Sequence, residues 1–233
     1  DGRYLVAVRK QTISILDLDS GRLLQKYKGM PEGIDYISVS PDNEFVIFGS
    51  WDRQELSVQV MEISTGKFSL LFKGIIHTTG MLVTPDGEHL ITYGDGIYLR
   101  NLRTGKIVRE INDFQVNVAT ITPDGCYLVT GSEDSTIGVW HLEKGEMIST
   151  ILGHSVGITA LAVSTDCKSI ISGDFDGSIK VWELDLDSNQ MDIDSHSDQV
   201  YEVAITPDES RAISGAADGS LFVWDLATSQ KLL

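Results

Sequence analysis

The chain has 233 residues, which is enough for one domain that hides about 70–75% of the surface its unfolded form exposes. Apolar residues make up 42% and charged residues 22%, the profile of an ordinary globular protein without long disordered tails. The net charge of −16 would repel a phosphate backbone, and the Lys and Arg residues form no cluster. We therefore expect no nucleic acid among the partners of this protein.

The longest stretch without Asp, Glu, Lys or Arg runs from 147 to 165, long enough to raise the question of a membrane span. Two glycines and a histidine lie in its middle, so two strands and a turn explain it better, and no membrane association is expected. Cys126 and Cys167 are the two cysteines, and they form no C-x-x-C pair. This usage fits a reducing compartment and predicts an intracellular, cytoplasmic protein.

A turn motif recurs along the chain at an almost constant interval. Each copy consists of Ser or Thr, then Pro or Thr, then Asp, then a residue of variable type. The copies begin at Ser40, Thr84, Thr122, Ser164 and Thr206, with spacings of 44, 38, 42 and 42. Asp1 and Gly2 align with the end of a sixth such turn. The chain is therefore a repeat with a period of about 42 residues.

Short β-branched and aromatic runs lie between the turns, and no segment shows a sustained helical period. The unit 154–195 illustrates this, with runs at 158–163, 169–172 and 179–184 and a polar outer run near Met191. A unit of this length with four strands is typical of a propeller blade. The chain is predicted to be all-β, a β-propeller of four-stranded antiparallel blades in one domain, 1–233. Six units, the first lacking its inner strand, are expected at about 1–29, 30–73, 74–111, 112–153, 154–195 and 196–233.

The chain resembles the WD-repeat family over essentially its whole length. The residues that carry the resemblance are Val139-Trp140-His141, Val181-Trp182-Glu183, Val223-Trp224-Asp225 and the pair Gly153-His154. The resemblance implies a rigid propeller whose loops dock partner proteins.

The same resemblance implies a hydrogen-bonded set of four side chains in some blades: a His, a Ser or Thr, an Asp and a Trp. Two units match in full, and a third matches in part. The implied sets are His154, Ser172, Asp176 and Trp182; His196, Ser214, Asp218 and Trp224; and, incompletely, Asn112, Thr130, Asp134 and Trp140. Buried indole and imidazole groups each cost about 1–3 kcal/mol without a partner, so a structural role is predicted for these residues.

The first three units depart from the family pattern. Leu16, Met61 and Arg100 stand where Trp140 stands in the fourth unit, so these units cannot form the same polar set. Arg100 is expected to reach solvent or an acidic partner. The second unit is predicted to carry a long hairpin turn at 50–55. This divergence could mark a specialised surface or merely relaxed blades.

Two short motifs suggest other chemistry. The run 153–157 matches the G-x-S-x-G pattern of hydrolases, but no helix can be drawn after it. Asp185, Asp187 and Asn189 resemble the opening of a calcium loop, but the required Gly and the final Glu are missing. We therefore predict no catalytic residue, no metal site and no cofactor.

The leading functional hypothesis is a protein-interaction scaffold without catalysis. The family's docking loops map onto residues at the hairpin tips and at the starts of the inner strands. These candidate partner-binding residues are Gln115, Asn117, Glu133, Phe175, Gln199, Tyr201 and, in the second unit, Trp51. Exposed aromatic groups rimmed by polar ones are typical of binding hot spots.

Two alternatives remain at this level. The chain could be the sensor propeller of a multidomain ATPase of the NACHT or apoptosome-like kind. It could instead be a propeller enzyme with a site in the central channel, which needs inward-facing acids or histidines that the inner runs hardly supply. The first unit lacks an inner strand, so the ring is expected to be part of a larger one, seven-bladed or double.

Overall fold

In the computed structural model of the chain, the described residues are 4–9, 11–28, 33–52, 55–75, 77–112, 115–184, 190–193, 196–228 and 230–233. They contain 23 strands and no helix, in six antiparallel sheets taken in chain order. The prediction of an all-β fold, with three strands in the first unit and four in each of the others, is confirmed. The single-domain prediction and the unit bounds stay predictions.

Sheet one consists of β1 (Tyr4–Arg9), β2 (Thr12–Asp17) and β3 (Leu23–Lys28). Sheet two consists of β4 (Ile34–Val39), β5 (Phe45–Asp52), β6 (Glu55–Glu62) and β7 (Phe68–Ile75). Sheet three consists of β8 (Thr78–Val83), β9 (His89–Gly94), β10 (Gly96–Asn101) and β11 (Ile107–Asn112).

Sheet four consists of β12 (Val118–Ile121), β13 (Tyr127–Gly131), β14 (Ile137–His141) and β15 (Glu146–Ile151). Sheet five consists of β16 (Ile158–Val163), β17 (Ser169–Asp174), β18 (Ile179–Glu183) and β19 (Gln190–Ile193). Sheet six consists of β20 (Val200–Ile205), β21 (Arg211–Ala216), β22 (Leu221–Asp225) and β23 (Gln230–Lys231). In every sheet, strands that are consecutive in sequence are neighbours.

The recurring turn motif closes the hairpin between the first and second strands of sheets two to six. In the turn at Thr84, the hydroxyl bonds the Asp86 carboxylate at 2.5 Å and accepts from the N–H of His89 at 3.0 Å. The fourth residue of each turn adopts a left-handed backbone, with φ of 70° at Gly87 but also 60° at Cys167. The motif therefore recurs because a hydroxyl and a carboxylate together replace backbone partners in a tight turn.

The chain divides into two compact units. Unit 1 comprises Asp1–Ile91 and Leu99–Val108, and unit 2 comprises Thr92–Tyr98 and Arg109–Leu233. Sheets one and two belong to unit 1, sheets four to six belong to unit 2, and the residues of sheet three are shared between the units.

Each unit has its own apolar core, built where one sheet packs on the next in sequence. In unit 1, Ile13 of sheet one packs with Phe48 and Met61 of sheet two. In unit 2, Val129 of sheet four packs with Ile158 and Trp182 of sheet five. A second cluster in unit 2 joins sheets five and six. Burial of these side chains between sheets is the main stabilising contribution in each unit.

The structure corrects the predicted hairpin turn of the second unit. β5 continues through Asp52 and β6 begins at Glu55, with Trp51 paired to Leu56 in the register. The segment predicted as a long turn is therefore mostly an extension of two strands, because the pairing continues through Trp51 with Leu56 and Asp52 with Glu55.

Candidate functional site

A chain of hydrogen bonds crosses sheet five through four buried side chains. The indole N–H of Trp182 donates to the Ser172 hydroxyl at 2.8 Å, and that hydroxyl lies 2.5 Å from Nε2 of His154. On the other side of the ring, Nδ1 lies 2.7 Å from a carboxylate oxygen of Asp174. These hydrogen bonds join His154, which precedes β16, to β17 and β18.

The carboxylate end of this network has a fixed direction. The Asp174 carboxylate can only accept, so Nδ1 of His154 donates to it, while Nε2 bonds the Ser172 hydroxyl. Burial on its own would raise the pKa of Asp174, but the hydrogen bonds from His154 and from the N–H groups of Ser178 and Asp176 outweigh it and hold the pKa below its ordinary value. Asp174 is therefore ionised at neutral pH and fixes the imidazole ring.

The carboxylate that bonds His154 belongs to Asp174, and the sequence prediction of Asp176 was wrong. Asp176 was predicted there, but its backbone N–H instead donates to Asp174 Oδ1 at 3.0 Å. β17 extends through residue 174, which places the Asp174 side chain beside the ring. The signal in the sequence was a second acid two residues earlier, directly after the Ser-Gly pair of the strand.

Sheet six contains a similar series of hydrogen-bonded side chains, which differs at the acidic end. Trp224 donates to the Ser214 hydroxyl at 2.9 Å, and Ser214 lies 2.7 Å from Nε2 of His196. Nδ1 of His196 bonds the Ser220 hydroxyl at 2.6 Å, which in turn donates to Asp218 at 2.5 Å. The predicted acid is thus reached through Ser220, which the sequence reasoning missed.

His196 is held as a neutral ring. Burial lowers its pKa, the nearby Asp218 opposes that shift, and Lys231 adds to it. The imidazole also stacks on the Phe222 ring, with centroids 4.2 Å apart and planes 6° from parallel. Hydrogen bonds from Ser220 and from Ser197 hold the pKa of Asp218 well below its ordinary value.

Sheet four keeps only part of this arrangement. Trp140 donates to the Thr130 hydroxyl at 2.9 Å. The predicted third member, Asp134, bonds the N–H and the hydroxyl of Thr136 in its own turn, at 3.0 and 2.6 Å. Asn112, aligned with the histidines, is exposed at the end of β11. The hydrogen-bonded network of side chains in sheet four is therefore shorter than those in sheets five and six.

The two histidines, the serines that bond the indoles and Asp174 are buried, and that decides what they can do. The hydroxyls of Ser172 and Ser214 lie inside the sheets, where a substrate has no access. Each hydroxyl already bonds an indole and an imidazole. The arrangement satisfies buried polar groups and fixes the start of each unit against its own strands.

The predicted docking residues of unit 2 lie at hairpin tips and at the starts of inner strands in sheets four to six. Phe175 donates its N–H to the Gly157 carbonyl at 3.2 Å and is 44% exposed. A Cβ built on Gly157 would lie 3.0 Å from Cα of Glu133 and 3.2 Å from the Phe175 ring. The hairpin tips of sheets four and five therefore meet over Gly157.

The other predicted docking residues of unit 2 lie at or near the starts of β12 and β20. Asn117 Nδ2 reaches the Ile158 carbonyl of the next sheet at 3.4 Å. The Gln199 carbonyl accepts from the N–H of Ala217 at 2.9 Å, and Tyr201 is 62% exposed. Gln115 is exposed before β12. The term docking rim is used below for Gln115, Asn117, Glu133, Phe175, Gln199 and Tyr201.

Trp51, the remaining predicted docking residue, lies in unit 1, and its docking role stays a prediction. Its side chain is half-buried and packs on the core of unit 1 that contains Leu56 and Val58. It also makes a side-chain hydrogen bond with Tyr36, whose hydroxyl donates to the Thr78 carbonyl at 2.8 Å. Trp51 therefore joins strands within unit 1.

Arg100 is half-buried. Its guanidinium lies over the Phe72 ring, 4.3 Å from the centroid, and Nη1 donates to the Gly105 carbonyl at 3.3 Å. An aromatic face and a backbone oxygen are therefore among the partners of this charge, and the expected contact with solvent or an acid stays a prediction.

Other candidate sites add little. The predicted calcium-loop mimic at Asp185, Asp187 and Asn189 lies outside the described residues. Asp86, Glu88 and His89 could approach one metal ion, but Asp86 already bonds Thr84 and the N–H of Glu88. No helix within the described ranges has the length and apolar character of a membrane span.

Comparison with known families agrees with this geometry. The family described as WD domain, G-beta repeat matches residues 105–141, 145–183 and 188–225, which cover the polar side-chain networks and all of the docking rim. The chain is a WD-repeat protein. WD-repeat domains generally bind other proteins, and the family is typically non-catalytic.

Similar curated proteins are about a quarter identical to this chain over the aligned residues. Pre-mRNA-processing factor 19 of Bos taurus is 24% identical over 69% of this chain and 32% of its own length. Apoptotic protease-activating factor 1 of Danio rerio is 25% identical over 71% of this chain and 13% of its own length. Autophagy-related protein 16 of Arabidopsis thaliana is 22% identical over 70% and 32%. The chain thus spans about a third or less of the length of these relatives.

Proposed function

We propose that this WD-repeat protein is a protein-interaction scaffold that docks partner proteins on the rim of unit 2 without catalysing a reaction. The single observation that carries the proposal is the placement of Phe175. This large apolar ring is 44% exposed on a hairpin tip, beside the exposed Glu133. Its backbone is hydrogen-bonded to Gly157, so the ring is held in place before a partner arrives.

The charge of the chain supports a preference among partners. The net charge of −16 favours approach by basic protein surfaces, and Glu133 adds a negative group next to the aromatic ring. A partner segment with an apolar side chain flanked by Lys or Arg fits this combination.

The proposal is tested by affinity capture from cell extract with the wild-type chain and two single variants. Phe175→Ala removes the rim aromatic group. Met147→Ala removes a side chain that is equally exposed, at 44%, but lies on β15 away from the hairpin tips. We expect a defined set of proteins to be retained by the wild type and by Met147→Ala and lost from Phe175→Ala. Equal retention by all three would contradict docking on the rim.

A second candidate function is the sensor propeller of a multidomain ATPase. The similarity to apoptotic protease-activating factor 1 of Danio rerio favours it, since 71% of this chain matches 13% of that protein. Sequencing the full transcript tests this candidate. A phosphate-binding loop encoded in the same reading frame would support it, and a full reading frame without one would exclude it.

A further inference from the structure

The two buried histidines of unit 2 differ in the group that their Nδ1 atoms bond. Nδ1 of His154 lies 2.7 Å from the Asp174 carboxylate, whereas Nδ1 of His196 lies 2.6 Å from the Ser220 hydroxyl. One position of the repeat causes this difference, because Ala216 ends β21 where Asp174 ends β17. Sheet six therefore places a hydroxyl beside its histidine where sheet five places a carboxylate.

The hydrogen bonds around His196 have fixed directions when the ring is neutral. The Asp218 carboxylate can only accept, so Ser220 donates its single hydroxyl hydrogen to it, at 2.5 Å. Nδ1 of His196 must then be the donor to Ser220. On the other side, the Trp224 indole donates to Ser214 at 2.9 Å. The lone pair of Nε2 accepts the Ser214 hydroxyl hydrogen at 2.7 Å, so both ring nitrogens are in use.

A second proton on His196 does not fit this arrangement. The proton would occupy the Nε2 lone pair, and Nε2 would become a donor toward Ser214. The Ser214 hydroxyl would then face two donors, the imidazolium and the Trp224 indole, and its own hydrogen would lose the acceptor. Protonation therefore breaks a buried hydrogen bond as well as placing a charge inside the sheet.

The charged groups around His196 are Asp218 and Lys231. Burial lowers the pKa of the ring, Asp218 opposes that shift and Lys231 adds to it. The Lys231 ammonium lies 3.4 Å from the centroid of the Phe222 ring, on which His196 stacks. The hairpin tip of sheet five contacts His196 through the uncharged carbonyl of Gly177 at 3.0 Å. The nearest Asp218 oxygen is 3.9 Å from Nδ1, so the group that favours the proton lies beyond hydrogen-bond distance.

Sheet five offers the same proton an ion pair. Nδ1 of His154 already donates to the Asp174 carboxylate, so an imidazolium there would lie 2.7 Å from a negative charge. The N–H groups of Asp176 and Ser178 hold that carboxylate at 3.0 and 2.8 Å. Mild acid should therefore act on sheet six and spare sheet five.

The segment that His196 anchors carries one residue of the docking rim. Ser197 donates its N–H and its hydroxyl to Asp218 at 3.0 and 2.8 Å. The Gln199 carbonyl accepts from the N–H of Ala217 at 2.9 Å. The segment 196–199 is thus held against the hairpin tip of sheet six by the same acid that the histidine reaches through a hydroxyl.

We propose that sheet six contains an acid-operated release of the docking rim: a second proton on His196 frees the segment 196–199, while the corresponding segment of sheet five, 154–157, stays bound. The effect on partner binding rests on the proposed docking function, because Gln199 belongs to the docking rim. The release is a property of the free chain, so the two can fail separately.

Amide hydrogen exchange of the full chain at pH 7.5 and at pH 5.5, corrected for the intrinsic exchange rates, measures the release. For one proton taken up by an opened segment with a pKa near 6.5, protection of the amides of 196–205 should fall by up to about tenfold at pH 5.5. The amides of 154–163 should keep their protection. Unchanged protection in 196–205, or an equal fall in both segments, would overturn the proposal.

Three substitutions supply matched controls. Ala216→Asp gives sheet six the carboxylate of sheet five and should remove the fall in protection. Ala217→Asp adds the same charge at the exposed neighbouring position and should leave the fall nearly unchanged. His196→Gln should also remove the fall, because Gln does not titrate, and this variant decides the matter if Ala216→Asp does not fold. A fall that persists in His196→Gln would show that another group is responsible and would overturn the proposal.

Affinity capture at the same two pH values measures the consequence for docking. Proteins retained by the wild type at pH 7.5 should be lost at pH 5.5 and kept by Ala216→Asp. If Phe175→Ala keeps them at pH 7.5, the docking function fails and the exchange result is unaffected. If the wild type keeps them at pH 5.5 although 196–205 has lost protection, the release does not control docking and that part of the proposal is wrong.

Discussion

Trp182 donates its indole N–H to the hydroxyl of Ser172 across 2.8 Å, from one strand of sheet five to the next. The same hydroxyl serves Nε2 of His154, so one oxygen atom satisfies two buried groups. Because one hydroxyl bonds two buried groups, we expect substitution of Ser172 to destabilise sheet five.

Ser172→Ala is expected to lower the free energy of unfolding by about 3 kcal/mol, because it leaves an indole and an imidazole without partners. Urea denaturation followed by tryptophan fluorescence measures the change. Ser155→Ala is the control, since this serine is exposed next to His154. A decrease in the free energy of unfolding of less than about 1 kcal/mol for Ser172→Ala would show that the hydroxyl does not hold the hydrogen-bonded side chains of sheet five together.

Asp174→Asn and Asp176→Asn form a matched pair that separates the observed acid from the predicted one. Asp174→Asn should cost about 1–3 kcal/mol, since the buried carboxylate accepts from His154 and from two backbone N–H groups. Asp176→Asn should stay within about 0.5 kcal/mol. The reverse order in a denaturation experiment would restore the alignment-based assignment.

Stability should fall below pH 6.5 because of His196. Burial lowers the pKa of this imidazole in the folded chain below its ordinary 6.5. The unfolded chain therefore takes up the proton first, so the contribution is complete above pH 6.5 and declines as the pH falls toward the folded value. The decline is at most about 1.4 kcal/mol per pH unit for one proton.

His196→Gln isolates this effect, because Gln does not titrate. Urea denaturation at a series of pH values between 5 and 7.5 should show a smaller slope for the variant than for the wild type, whatever its absolute stability. Identical slopes would mean that His196 carries the same charge in both states.

Trp51→Phe tests whether Trp51 holds the strands of unit 1 together. The substitution removes one hydrogen-bond partner of the Tyr36 hydroxyl, which keeps the Thr78 carbonyl, and should cost about 1 kcal/mol of unfolding free energy. Partner capture should be unchanged, because the side chain packs on the core of unit 1. Loss of partner capture with an unchanged free energy of unfolding would instead support the predicted docking role of Trp51.

The sequence predicted the sheets well because the periodic turns are local. The hydroxyl of Thr84 and the carboxylate of Asp86 shape their turn without help from distant residues, and the same holds at each repeat. The Ser–Trp and Ser–His contacts followed from the 42-residue alignment, since those residues occupy fixed strand positions.

The errors occurred where two candidates lay within one turn. Asp174 and Asp176 are two residues apart, and only the extension of β17 decides which one faces His154. In sheet six Ala216 stands where Asp174 does, and Ser220 bridges the gap to Asp218. The long turn predicted at 50–55 was wrong because β5 and β6 continue to pair through Asp52 and Glu55.

The polar chains of sheets five and six also bear on how unit 2 comes apart. His154 and His196 each bond strands of their own sheet, and each core cluster joins one sheet only to its successor. Coupling in such an array runs between nearest neighbours, as in a one-dimensional lattice. Damage to one blade should therefore spread stepwise from sheet to sheet within unit 2.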